Sequence, residues 1–151
     1  MSKKIIDWDT LRAELLSDSD VQAAFDAEER KARLQEMLAL VDEAEAILTD
    51  EQADLNEFGR LLDHTWKLKR GTGAAVSTDC IDALYARGIA AGALGGKLLG
   101  AGGGGFLVFY VEPEHQAAVR QAMQELLYIP FRFENGGTRV IYYAPEEEPA
   151  L

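Results

Sequence analysis

The feature that most constrains this chain is a run of four consecutive glycines, Gly102 to Gly105, between two short apolar stretches. Glycine loses more backbone entropy on ordering than any other residue and has no side chain to bury, so such a run does not build a packed core. It suits a turn with positive φ or a close approach of the backbone to another group. Bare N–H groups also suit phosphate oxygens, which accept several hydrogen bonds at short range. We predict a strand, a glycine turn and a second strand.

The same stretch has the length of a membrane helix, because Lys97 is the only formal charge between Gly88 and Val111. Nine of those residues are glycine, however, and the longest strongly apolar run is Phe106 to Val111. This composition favours strand, turn and strand over a membrane span. We therefore expect a soluble chain with no membrane partner.

Length and charge narrow the class of protein further. A chain of 151 residues is long enough for one domain with its own core. The net charge of −11 argues against nucleic acid and anionic membranes as partners. A single cysteine, Cys80, excludes an internal disulfide and a cysteine-based zinc site. The first residues lack the apolar segment of a secretory signal, so we expect a cytoplasmic protein.

Helical periodicity dominates the first half. A short amphipathic stretch is predicted from Trp8 to Leu16, and a long helix from Val21 to Leu48. Thr49 or Asp50 is the predicted cap of the next helix, which ends in a basic cluster. The apolar positions that define these two helices are Leu34, Met37, Leu38, Val41, Ala44 and Leu48 in the first, and Leu55, Phe58, Leu62 and Trp66 in the second.

The second half alternates helices and strands. A helix begins near Ser77 or Thr78 and ends near Gly92, and Pro113 opens another after the glycine hairpin. Alternation predicts a strand over 129–133, and a turn then leads to a return strand over 138–144. The expected fold is α+β, a ferredoxin-like four-stranded antiparallel sheet packed against helices. We expect one domain over 1–151, with a helical segment 1–75, a glycine-loop sandwich 76–145 and a frayed tail 146–151.

The glycine loop has two interpretations from its residues. It could be a flexible hairpin tip, or it could lie against a phosphate. The run has more glycines than a tight hairpin turn requires, and it follows a strand. Both features favour the interpretation in which the loop lies against a phosphate. It is neither a Walker A loop, which continues into Gly-Lys-Ser/Thr, nor a dinucleotide fingerprint, after which a helix follows.

The segment Gly96 to Phe106, GKLLGAGGGGF, resembles the third motif of the GHMP-family small-molecule kinases. The segments 58–70 and 81–85 are most similar to the branch that acts on D-glycero-D-manno-heptose 7-phosphate. The resemblance implies a C-terminal domain that borders the cleft for ATP phosphates and a sugar phosphate. It assigns the cofactor contacts to Gly100, Ala101, Gly102, Gly103, Gly104 and Gly105.

The family's N-terminal domain carries a Pro-x-x-x-Gly-Leu-Gly-Ser-Ser loop and an acidic residue that assists the attacking hydroxyl. Neither pattern is present in the 151 residues. The resemblance thus implies ATP and Mg²⁺ in the complete enzyme, an N-terminal kinase domain as partner, and no activity or tight cofactor binding by this chain alone. We assign no catalytic residue and no metal ligand.

Other polar residues keep two interpretations each. Lys67, Lys69 and Arg70 could contact the sugar phosphate or form a solvated helix end, and Lys69 and Arg70 are the candidate substrate-binding residues. Lys97 could orient the loop or simply lie on an edge strand. The remaining candidates are given structural roles: a helix cap for Ser77, Thr78 and Asp79, surface or core positions for His64 and His115, and core positions for Trp66 and Tyr85.

Two further classes of function stay open. The chain could be a stand-alone ligand-binding or regulatory module with a ferredoxin-like sheet. It could also be an interaction domain, because the surface that faces a missing N-terminal domain is apolar and would be covered by a partner or by oligomerisation.

Overall fold

The computed structural model describes residues 16–100, 104–133 and 136–137, together with Asp7, Asp9, Arg12 and Ala13. Four α-helices and one antiparallel hairpin make up this part of the chain. In chain order they are α1 (Ser19–Thr49), α2 (Leu55–Arg70), α3 (Asp79–Ala90), β1 (Ala93–Leu99), β2 (Phe106–Val111), a 3₁₀ turn (Pro113–His115) and α4 (Gln116–Ala122). The α+β class is confirmed.

Side-chain caps begin the three long helices. The carboxylate of Asp18 accepts a hydrogen bond from the Asp20 amide at 2.9 Å, and Asp54 accepts from the Asn56 amide at 3.0 Å. The Thr78 hydroxyl accepts from the Ile81 amide at 3.3 Å, as the sequence predicted. The predicted cap of α2 was wrong, because the Asp50 amide closes the last turn of α1 on Ala46 instead. Helix α2 therefore starts at Leu55.

The core lies between α2, α3 and the hairpin. Trp66, Ile81, Tyr85 and Leu98 form the buried cluster, and Phe109 packs against it. Ring centroids are 5.7 Å apart between Trp66 and Tyr85 and 5.6 Å apart between Tyr85 and Phe109. The core positions predicted for Trp66 and Tyr85 are confirmed.

Glycines permit an unusually close approach of α2 to β1. A Cβ atom on Gly95 would lie 1.9 Å from the carbonyl oxygen of Gly59. The same Cβ atom would lie 2.7 Å from the Asp63 backbone nitrogen, one turn further along α2. The helix and strand backbones are thus in direct contact, and this contact fixes how far α2 sits from the hairpin.

Helix α1 is the least buried of the four α-helices in the described part of the chain, and none of its residues is fully buried. It is tied to α2 by polar contacts, among them His64 Nε2 with a Glu36 carboxylate oxygen at 2.9 Å. The guanidinium of Arg33 also donates to the Gly71 carbonyl oxygen. Several of the apolar positions that predicted this helix are exposed, namely Leu34, Leu38, Val41 and Leu48.

The four-stranded sheet is not seen, because the described residues contain a two-stranded sheet. The strand predicted over 129–133 is wrong: these residues form no strand, and Phe131 and Phe133 are exposed. Pro130 offers no N–H to a neighbouring strand, and no strand pairs with this segment in the described part of the chain. The return strand 138–144 and the tail 146–151 lie outside the described residues, as does most of the stretch Trp8 to Leu16.

No helix in the described ranges is both long enough and apolar enough to cross a membrane.

Replacing Gly95 by alanine tests the helix–strand contact. The new methyl group would collide with the Gly59 backbone, so we expect the free energy of unfolding to fall by about 3 kcal/mol or more. Gly73→Ala is the matched control, because a Cβ there meets no atom within 4 Å. Urea unfolding followed by circular dichroism measures both variants. Equal stability of the two variants would contradict the close packing.

Candidate functional site

Two glycines at the ends of the loop have the positive φ that favours glycine. Gly100 and Gly105 have φ values of +138° and +134°, which disfavour any residue with a side chain. A Cβ atom on Gly105 would lie 2.1 Å from the Leu99 carbonyl oxygen, whereas one on Gly104 would meet no atom within 4 Å. The hairpin closes with Leu99 opposite Phe106. Ala101, Gly102 and Gly103 lie outside the described residues.

Three elements bring their polar ends together beside this loop. Trp66 in the last turns of α2, Ile81 in the first turn of α3 and Leu98 at the end of β1 share one buried cluster. The basic C-terminus of α2, the N-terminus of α3 and the glycine loop therefore lie at one end of the domain. We call this region the hairpin end.

An open depression of about 410 Å³ lies at the hairpin end. Its polar groups are connected: Arg70 pairs with an Asp82 carboxylate oxygen at 3.3 Å, and the Ser77 hydroxyl donates to the other at 2.6 Å. The lining residues are Lys67, Arg70, Gly71, Gly73, Ala74, Ser77 and Asp82. The guanidinium, the ammonium and the hydroxyl are suitable groups for binding a phosphate, and Asp82 is the carboxylate in the lining that already engages the guanidinium and the hydroxyl.

The predicted basic residues have different positions. Arg70 lines the depression, and so does Lys67, which also pairs with Asp63. Lys69 is half-buried beside them and is not among the lining residues. Its carbonyl oxygen accepts from the Thr72 hydroxyl at 2.7 Å, which helps to close the helix end. Of the two predicted sugar-phosphate contacts, the structure thus brings Arg70 to the depression.

Four other candidate residues lie outside the lining of the depression. Lys97 is exposed on β1 opposite Val108, and Asp79 is exposed in the first turn of α3. His64 contacts Glu36 on the surface between α1 and α2, and His115 packs against Gly92 at the opposite end of β1. Neither histidine lines the depression.

Two carboxylates at the hairpin end were missed as site residues. Asp82 orients Arg70, and Asp63 accepts a hydrogen bond from the Tyr85 hydroxyl at 3.0 Å while pairing with Lys67. The signal for Asp82 was its position in the first turn after Ser77 and Thr78. Asp63 lies four residues before Lys67, a spacing that indicates an ion pair on one helix face, but its contact with Tyr85 on another helix had no local signal.

Burial raises the pKa of Tyr85 strongly, and the nearby Asp63 carboxylate raises it further. The hydroxyl has one proton to donate, and Asp63 at 3.0 Å is a closer acceptor than the Gly96 carbonyl oxygen at 3.5 Å. Tyr85 therefore links α3 to α2 as a neutral hydrogen-bond donor.

One group in the described part of the chain could hold a cation: Glu112, Glu114 and His115, whose ligand atoms lie within 4.8 Å of one another. This group follows β2 and is therefore at the opposite end of the hairpin from Gly100 to Gly105. Glu112 already accepts a hydrogen bond from Asn56 at 2.7 Å. It has no part in the hairpin end.

Residues 44–129 match the family model "GHMP kinases C terminal". The chain belongs to this family. The matched residues include the end of α1, the whole of α2 and α3, the glycine hairpin and α4. The resemblance predicted from the glycine motif is thereby confirmed.

A curated relative shares the matched region. Over 74 residues the chain is 32% identical to D-glycero-alpha-D-manno-heptose 7-phosphate kinase from Campylobacter jejuni. The similarity covers 49% of this chain and 22% of that enzyme. The chain thus spans a small part of the relative's length.

Alanine at two neighbouring loop glycines should have different effects. Gly105→Ala introduces strain at positive φ and a clash with Leu99, so we expect a loss of about 2 kcal/mol in unfolding free energy. A methyl group on residue 104 would meet open space, so the free energy of unfolding of Gly104→Ala should stay within about 0.5 kcal/mol of the parent value. Thermal or urea unfolding measures both. A larger loss for Gly104→Ala than for Gly105→Ala would contradict the hairpin geometry.

Alkaline pH should destabilise the chain through Tyr85. Its pKa is raised in the folded state, so its contribution is fully present below the ordinary tyrosine pKa of about 10. Above that pH the unfolded chain releases the proton while the folded chain retains it, and stability falls. We expect the free energy of unfolding, measured with urea, to fall less steeply between about pH 10 and 11 in Tyr85→Phe than in the parent chain. Tyr128→Phe, at an exposed tyrosine, is the control. An unchanged alkaline slope in Tyr85→Phe would contradict the assignment.

Proposed function

We propose that this chain is the C-terminal domain of an ATP-dependent sugar kinase whose acceptor is a sugar phosphate of the heptose 7-phosphate type. In this proposal the glycine loop from Gly100 to Gly105, including Ala101, Gly102 and Gly103, lines the cleft that holds the phosphates. Membership of the GHMP kinase C-terminal family supports the class of enzyme. The similarity to the Campylobacter jejuni heptose 7-phosphate kinase supports the acceptor.

The observation that carries the proposal is the grouping at the hairpin end. Gly100, Gly104 and Gly105 have no Cβ atom, so a phosphate can approach their backbone N–H groups closely, and the positive φ of Gly100 and Gly105 favours glycine at both positions. The basic end of α2 and the N-terminus of α3 lie at the same end, and both attract anions. Each of these features favours a phosphate at this end of the domain, and the described loop residues Gly100, Gly104 and Gly105 lie outside the lining of the depression.

In the proposed site, Arg70 binds the phosphate of the sugar. Its guanidinium forms two parallel hydrogen bonds to a phosphate better than an ammonium does. Asp82 holds Arg70 in place at 3.3 Å, and a phosphate would share the guanidinium with it. Lys67 adds a second cation on the lining, and Lys69 adds positive charge beside it.

The proposal also assigns this chain half of a catalytic site. Phosphoryl transfer needs Mg²⁺, nucleotide and acceptor hydroxyl held in line. The glycine loop fits the phosphates of ATP, but the carboxylate that lines the depression, Asp82, is already engaged by Arg70 and Ser77. ATP and Mg²⁺ would then bind tightly only with an N-terminal kinase domain, and the chain alone would be inactive.

Ligand titration followed by amide NMR tests the proposed site. We expect weak, millimolar-range binding of Mg-ATP and of heptose 7-phosphate, with shifts at Gly100, Gly104 and Gly105 and over residues 71–77. Calorimetry at micromolar protein should detect no binding. Arg70→Gln should weaken sugar-phosphate binding about threefold or more, since a charge-assisted hydrogen bond is lost. Arg30→Gln, on exposed α1, is the matched control.

Two outcomes would contradict the proposal. Shifts confined to the opposite end, around Glu112 to His115, would remove the hairpin end from the phosphate site. Micromolar binding by the chain alone would show a self-sufficient site, and would support a stand-alone ligand-binding module instead of a kinase half.

A further inference from the structure

Helix α1 carries a second apolar face that packs on nothing in the described part of the chain. Leu34 is 52% exposed, Leu38 71%, Val41 57% and Leu48 57%. The half-buried positions of the helix form a different line: Arg33, Met37, Leu40, Ala44 and Ile47. At about 100° per residue the two lines are roughly a quarter turn apart. The exposed face is therefore free while the other packs toward α2.

The exposed line has the spacing of a coiled-coil seam. Successive residues of this line are spaced alternately four and three positions apart. They are Ala27, Lys31, Leu34, Leu38, Val41, Glu45 and Leu48. We call this line the outer stripe. All seven residues are exposed, and they extend along most of a helix of 31 residues. Such spacing lets two helices pack along their length with a left-handed supercoil.

Two charged residues interrupt the outer stripe symmetrically. Lys31 lies seven residues before Leu38, and Glu45 lies seven residues after it. In a parallel pair of identical helices, each charge would face the same charge of the other copy. In an antiparallel pair centred on Leu38, Lys31 of each copy lies at the height of Glu45 of the other. Opposite charges then meet on both sides of the axis.

The apolar residues fit the same arrangement. With the two-fold axis at Leu38, the two Leu38 side chains meet at the centre. Leu34 of one copy packs beside Val41 of the other, and Leu48 packs beside Ala27. The stripe is thus complementary to itself in the antiparallel direction, as a two-fold interface requires.

We propose that the outer stripe of α1 is the dimer interface of this chain, and that it binds a second copy in antiparallel orientation about Leu38. The stripe lies about a quarter turn from the line of α1 that packs toward α2. The proposal is independent of the kinase assignment.

Sedimentation equilibrium of the 151-residue chain tests the interface. We expect a monomer–dimer equilibrium with a micromolar Kd. Leu38→Glu places two carboxylates face to face on the axis and should raise Kd by roughly tenfold or more. Glu43→Lys is the control for charge reversal on α1, because Glu43 lines the groove between α1 and α2. It should leave the dimer in place.

Charge exchange tests the antiparallel direction. Lys31→Glu alone puts a carboxylate opposite Glu45 of the second copy, and Glu45→Lys alone puts two ammonium groups together. Each should weaken the dimer, and the double variant Lys31→Glu/Glu45→Lys should restore it. Circular dichroism checks that every variant stays helical.

A monomeric parent chain at several hundred micromolar would overturn the proposal, whatever else covers the stripe. If the double variant dimerises as weakly as the two single variants, the antiparallel register is wrong.

Discussion

The contact between Gly59 and Gly95 governs the arrangement of the described domain. Without side chains between them, the backbones of α2 and β1 touch, and a Cβ on Gly95 would lie 1.9 Å from the Gly59 oxygen. That separation lets Trp66 reach the cluster with Leu98 and lets the Tyr85 hydroxyl approach Gly96. The basic end of α2 is consequently held beside the glycine loop. Packing of two backbones thus determines where the charged groups lie.

The hairpin end combines positive side chains with two carboxylates that orient them. The chain carries a net charge of −11, yet Lys67, Lys69 and Arg70 fall in one helical turn at this end. Asp63 pairs with Lys67, and Asp82 pairs with Arg70. Such pairs at partly exposed positions contribute little stability. Their effect is to hold the lysine and arginine side chains in place. A phosphate that binds there then costs less side-chain conformational entropy.

Local chemistry in the sequence predicted the helices, the glycine hairpin, the Thr78 cap and the aromatic core. Features that depend on distant partners were harder to predict. The Gly59–Gly95 contact requires the register of a helix against a strand, and Asp63 acquires its role from Tyr85 on another helix. Helix α1 has two adjacent apolar lines, and periodicity alone does not say which one packs on α2. Alternation over 129–133 predicted a strand, but a strand also needs a paired neighbour, and this segment has none among the described residues.

The central claim is that the hairpin end forms the phosphate-facing wall of a sugar kinase completed by another domain. The most direct measurement is ADP release by a chimera in which this chain replaces the C-terminal domain of the Campylobacter jejuni heptose 7-phosphate kinase. We predict turnover that requires both Mg-ATP and heptose 7-phosphate and that falls in the Arg70→Gln chimera but not in Arg30→Gln. A folded chimera that binds Mg-ATP yet releases no ADP in response to the sugar phosphate would contradict the account.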